Sequence, residues 1–141
     1  MKEITVTRKE FFKMWIDDLR TTKSKQAQGS LHPYKGGYCC LGRASEKARK
    51  VGLVHKKTQD YPGADWSYDH NSGTLPEDLA SFLGITEHGD FKKRFHKLLG
   101  GSSLVELNDN KGKTFKEIAD VIELAFQLDA FIKPRKGQKS T

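Results

Sequence analysis

Two adjacent thiols, Cys39 and Cys40, are the residues best suited to covalent chemistry, and they stand in an uncommon setting, Gly36-Gly37-Tyr38-Cys39-Cys40-Leu41-Gly42. A thiolate nucleophile needs a helix N-terminus or a neighbouring cation to lower its pKa. Cys39 falls where a helix is predicted to start, with His32 and His55 as candidate neighbours. Against that, free cysteine packs as a small hydrophobe and is among the most buried residue types, and packing carries more weight here. Neighbouring cysteines rarely reach disulfide geometry, so the pair reads as reduced thiols in a cytoplasmic protein.

The same turn offers a second chemistry. Backbone amides at a glycine-rich turn entering a helix can hold an anion, and residues 37–41 make that arrangement. Lys25, Gln26, Lys35 and Arg43 are close enough in sequence to assist. The predicted ligand set is therefore Lys25, Gln26, Gly37, Tyr38, Cys39, Cys40 and Arg43, joined by Asn108 and Asp109 as a hydrogen-bonding pair. Arg43→Glu is then expected to weaken binding without unfolding the domain. The competing reading is that the glycines only permit the turn and that Asn108-Asp109 only closes an Asx turn.

Other candidates are weaker. Lys92, Lys93, Arg94 and Lys97 can contact phosphates or an acidic partner, or form a solvated face. Trp66, Tyr68 and Tyr61 can stack on bases or fill the core. The five histidines show no paired spacing, so no metal and no cofactor are assigned. Gly100-Gly101-Ser102-Ser103 lacks the lysine of a phosphate loop. No acid/base set has usable spacing, which favours a binding protein over an enzyme.

These residues must be positioned by local elements. Thr7-x-x-Glu10 is a capping box, and Phe12, Trp15, Ile16 and Leu19 follow at helical spacing, which predicts a helix over 8–20. A second helix is predicted over 39–50, with Leu41, Ala44, Ala48 and Val51 as its stripe and Gly52 and Leu53 as its stop. Residues 53–55 and 66–68 are expected to pair as a hairpin. Pro76, Glu77 and Asp78 open a helix that Gly84 ends. Asp90 is expected to cap a basic helix over 91–99, burying Phe91, Phe95, Leu98 and Leu99. Residues 108–113 read as a turn, and Thr114-x-x-Glu117 caps a last helix reaching Phe131.

At 141 residues, with 35% apolar and 30% charged residues, the chain suits one domain without a membrane span. Of the net charge of +7, four cations and no acid fall in residues 133–141, leaving only +3 on residues 1–132. The body is thus not a strongly cationic surface, and the tail, poor in apolar residues, is expected to be a disordered basic extension.

Several of these segments together resemble a widespread group of small tailed-phage and prophage proteins without an established activity. The resemblance rests on Trp15-x-x-x-Leu19, Gln26-x-x-Gly29-x-Leu31, Tyr38-Cys39-Cys40-Leu41-Gly42, Leu75-Pro76, Phe82-Leu83-Gly84-Ile85, Leu107-Asn108-Asp109 and Phe115-x-x-Ile118-Ala119. Members often continue the cysteine motif with valine, a third cysteine and an aspartate, where this chain has Arg43, Ser45 and Glu46. The missing thiol argues against a metal or redox role requiring it. Residues 87–97 are also longer and more basic than the group implies.

The expectation is a single α+β domain, mostly helical, of about five helices and a small β-hairpin. The resemblance implies a phage setting, not a reaction; the leading expectation is a non-catalytic phage accessory protein of the host-defence-antagonist type that acts by binding in the host cytoplasm. Its favoured ligand is anionic, a nucleotide-like signal or nucleic acid. The alternative is an inhibitor that docks an acidic host protein through the basic helix.

Overall fold

The computed structural model describes residues 6–134. It is a mostly helical α+β domain: α1 (Arg8–Thr21), α2 (Cys40–Lys50), β1 (Lys57–Thr58), β2 (Ser67–Tyr68), α3 (Glu77–Leu83), a 3-10 turn (Lys93–Phe95) running into α4 (His96–Leu99), α5 (Leu104–Asp109) and α6 (Phe115–Leu128).

Both predicted capping boxes form. The Thr7 and Thr114 hydroxyls accept from the amides of Glu10 and Glu117, whose carboxylates accept from the threonine amides in return. The apolar stripes of the two long helices meet. Phe11, Phe12, Trp15, Ile16 and Leu19 of α1 pack with Ile118, Ile122 and Ala125 of α6 in one core. Arg20 pairs with Asp120 and Glu123, whereas Arg8 lies over the Phe126 ring, so the helices run antiparallel. Helix α2 closes the core from the side, where the Trp15 indole donates to the Cys40 carbonyl at 3.0 Å.

Four expectations change. First, residues 53–55 form no strand. Leu53 and Val54 amides both donate to the Ala48 carbonyl, so they belong to the stop of α2. The Asp69 carboxylate collects the His55 and Lys56 amides, and the hairpin forms further along, with Lys57 opposite Tyr68 and Thr58 opposite Ser67.

Second, the basic helix over 91–99 is shorter. Phe91 bridges Phe131 in antiparallel register, with the Lys92 amide on the Ala130 carbonyl and the Ile132 amide on the Asp90 carbonyl. Extended pairing excludes helical dihedrals at residue 91, so helical structure starts only at Lys93. The Asp90 carboxylate accepts from the Thr86 hydroxyl instead of capping. Leu98, expected inside, is 62% exposed.

Third, residues 108–109 are helical. Ser103 caps α5 by accepting from the Glu106 amide, and the Glu106 carboxylate accepts from the Ser102 amide. The Ser-x-x-Glu spacing at 103–106 is a helix-start signal that places Asn108 in the last turn of α5. Fourth, the final helix stops earlier than Phe131, at a left-handed Asp129. The predicted basic tail lies, from Arg135 onward, outside the described residues.

Candidate functional site

The turn that leads into α2 is built by a close approach of backbones. Gly37 has a φ of 83°, and a Cβ there would sit 2.8 Å from the Lys25 carbonyl oxygen. A Cβ on Gly42 would lie 1.8 Å from the Leu31 carbonyl oxygen, so only glycine fits beneath that strand of chain. Two loops are thereby pressed together, and the main-chain donors expected to meet an anion are used between them. The Tyr38 amide donates to the Lys25 carbonyl, the Cys39 amide to the Leu31 carbonyl, and the Cys40 amide to Asn108 Oδ1. The Gly42 amide donates to the Cys39 sulfur at 3.3 Å, so Cys39 caps its own helix. The expected anion cradle over residues 37–41 is therefore corrected to a structural clasp, because the amides of its central residues, Tyr38, Cys39 and Cys40, already have partners within the protein.

Asn108 is the centre of that clasp. Its Oδ1 accepts from the Cys40 amide and from Gln26 Nε2, while its Nδ2 donates to the Ala27 carbonyl and to Asp109. Gln26 Nε2 also donates to the Lys113 carbonyl at 2.8 Å. One buried amide thus ties the 26–28 loop, the start of α2 and the α5–α6 connection. Gln26, Cys40, Asn108 and Asp109 do come together, as predicted, but their polar atoms address each other. A cleft of about 320 Å³ opens beside Gln26, Gln28, Asn108 and Lys113. Gly37, Tyr38, Cys39, Cys40 and Arg43 do not line it.

The other predicted ligands have different places. Lys25 is exposed. Arg43 is only 8% exposed and grips Asp18 through two bonds of 2.6 and 2.8 Å. It is a core ion pair rather than a free cation. Burial pushes the Cys39 thiol up to about 11 and the Cys40 thiol well above its usual value. Both are protonated at neutral pH and poor nucleophiles. Among the described residues no cluster of His, Cys, Asp and Glu is arranged to hold a metal ion, and no buried side-chain nitrogen or oxygen lacks a partner.

Tyr38 is half-buried. Its ring stacks on His32 at 4.0 Å and 9°, and the Arg43 guanidinium sits 4.7 Å from its centroid. His32 donates to the Gly37 carbonyl, and burial pushes its pKa down. One turn further along α2, Glu46 accepts from Tyr68 and Arg49 and pairs with Lys57 at 3.3 Å. Burial alone would raise the Glu46 carboxyl. The hydrogen bonds from Arg49 and Tyr68, with the charge of Lys57, outweigh it and hold the group at about 2.

The basic residues form a separate surface. Lys93, Arg94 and Lys97 are exposed, and Arg94 lies 4.8 Å above the Phe95 ring. Lys92 is half-buried and reaches Asp129 at 3.6 Å. The pairing of 90–92 with 130–132 brings the segment that ends in exposed Lys133 alongside the one that leads into these cations. That neighbour, some forty residues on, had no signal in the spacing, because a single bridge leaves no periodic trace.

Fold and site define a mostly helical α+β domain held by a buried amide clasp and carrying a basic end. The chain belongs to the family described as a domain of unknown function (DUF8296), whose model matches residues 7–126. The clasp residues lie inside the matched span, whereas the segment 130–133 that carries Lys133 lies past it. No curated protein and no solved structure matches the chain.

Proposed function

We propose that the protein acts by binding a polyanion, with nucleic acid as the partner, through Lys93, Arg94, Lys97 and Lys133. The observation that carries this reading is the Phe91–Phe131 pairing, which lays the segment of exposed Lys133 alongside the one that leads into exposed Lys93, Arg94 and Lys97. Among the described residues no ion pair neutralises these four, so their charge is available to phosphates. The Arg94 guanidinium stands 4.8 Å from the Phe95 ring centroid, a cation–π contact that restrains a multidentate phosphate donor before contact. The likeness to the phage group supports the wider setting: an accessory protein in the cytoplasm of an infected host, directed against host defences. No helix among the described residues is long and apolar enough to cross a membrane.

The test is fluorescence anisotropy with a labelled single-stranded oligonucleotide. Four phosphate contacts give log K a slope of about −3 against log salt. Lys93→Glu, Arg94→Glu and Lys97→Glu together, in a protein with native circular dichroism, are expected to weaken binding by at least about tenfold at low salt. Unchanged affinity in that folded variant overturns the reading.

A second reading is favoured by exposed Leu98 and Ile132, which lie in the segments that carry these cations. An acidic host protein with an apolar contact would use both kinds of group. Capture that survives nuclease treatment and is lost in Leu98→Asp selects it.

A further inference from the structure

The Lys57 ammonium stands among three aromatic rings. Its Nζ lies 5.3 Å from the Trp66 centroid, 5.5 Å from Tyr68 and 5.7 Å from Tyr38, with Glu46 Oε1 at 3.3 Å. Rings on several sides and one carboxylate are the elements by which proteins recognise substituted ammonium groups. The cage walls are fixed independently of their occupant. Tyr68 is fully buried and its hydroxyl is bound to Glu46. Tyr38 is stacked on His32, and the Trp66 ring lies near-parallel to His32 at 6.2 Å, its main-chain amide bound to the His32 carbonyl. The occupant is held less firmly. Lys57 belongs to a two-residue strand, its side chain is 20% exposed, and the connection to β2 carries exposed Tyr61 and Gly63.

We propose that Tyr38, Trp66, Tyr68 and Glu46 form a binding site for a substituted ammonium group, which Lys57 occupies from within and a ligand enters by displacing it. The site goes beyond the polyanion reading, uses none of its residues and stands or falls separately. Removing the Lys57 side chain leaves Glu46 still bonded to Arg49 and Tyr68, so the carboxylate is not left uncompensated.

Tetramethylammonium is the probe, and Trp66 fluorescence the readout. Lys57→Ala is expected to give a saturable change, with affinity at least about tenfold higher than the wild type, which must first release its own cation. Adding Glu46→Gln is expected to weaken that binding several-fold, and Lys57→Ala/Trp66→Phe to lose the signal, since the remaining Trp15 is buried elsewhere in the core. The wild type is also titrated by NMR. There the Trp66 indole and the Lys57 ε-methylene are expected to shift together, which tests displacement even where the alanine variant folds poorly. A folded Lys57→Ala without saturable response overturns the proposal. So does a wild type in which neither group shifts.

Discussion

Arg43 shows how far a side chain's role depends on its partner. As a cation beside a glycine turn it suggested ligand binding; with Asp18 it is half of a buried, two-bond ion pair. Without Arg43, Asp18 keeps only the longer contact to half-buried Lys47 at 3.6 Å, and loss of the two close bonds is expected to cost about 3 kcal/mol. Arg43→Glu, which sets two carboxylates together, is therefore expected to unfold the domain or lower its melting temperature sharply, reversing the expectation of a folded, weakly binding variant. Thermal circular dichroism decides; a native melting curve would contradict the pair's importance. The thiols follow the same logic. With Cys39 held up to about 11 by burial, the native protein is expected to react with iodoacetamide far more slowly than its urea-unfolded form, and rapid native labelling would restore a nucleophilic role. Two further residues of α2 have roles set at this scale too. Ser45 bonds the Leu41 carbonyl within α2, and Glu46 anchors Tyr68, Arg49 and Lys57.

At the scale of elements, α2 is docked by glycine contact rather than by side-chain bulk. The absent Cβ of Gly42 lets the Leu31 carbonyl approach the helix, which allows that carbonyl to accept from the Cys39 amide at 3.1 Å. Gly42→Ala must push the loop away and break that bond. A loss of about 3 kcal/mol or more is expected in chemical denaturation, although alanine has the better helix propensity. A neutral or stabilised variant would mean that the loop yields freely. The basic segment makes the opposite point. Its residues have a helix-compatible pattern, yet Phe91 is drawn into extended pairing by Phe131, and burial of both rings at 5.3 Å outweighs one more turn of helix.

For the whole molecule, Glu46 couples folding to pH. Its folded value of about 2 lies below the unfolded value of 4.5. The lowered value means that its stabilisation is present above pH 4.5 and is lost as pH falls from 4.5 towards 2. The linkage is worth about 2–3 kcal/mol. Wild-type stability is expected to fall across that window, and Glu46→Gln to flatten the fall; parallel profiles for the two proteins would remove Glu46 as the cause. The sequence by itself determined the helix starts at Thr7 and Thr114, the stops at Gly52 and Gly84 and the apolar stripes of α1 and α6, because each depends on residues within about one turn of one another. It also carried the start of α5 in the spacing of Ser103 and Glu106, which prevails over the turn propensity of Asn108-Asp109. Only the tertiary structure decided that Asp18 holds Arg43, that Asn108 reaches Gln26 and Cys40, and that the Lys92 amide meets the Ala130 carbonyl. Those pairings follow from how a closed core brings distant backbone and side-chain groups within hydrogen-bonding reach, and sequence spacing does not encode which group will be there to meet them.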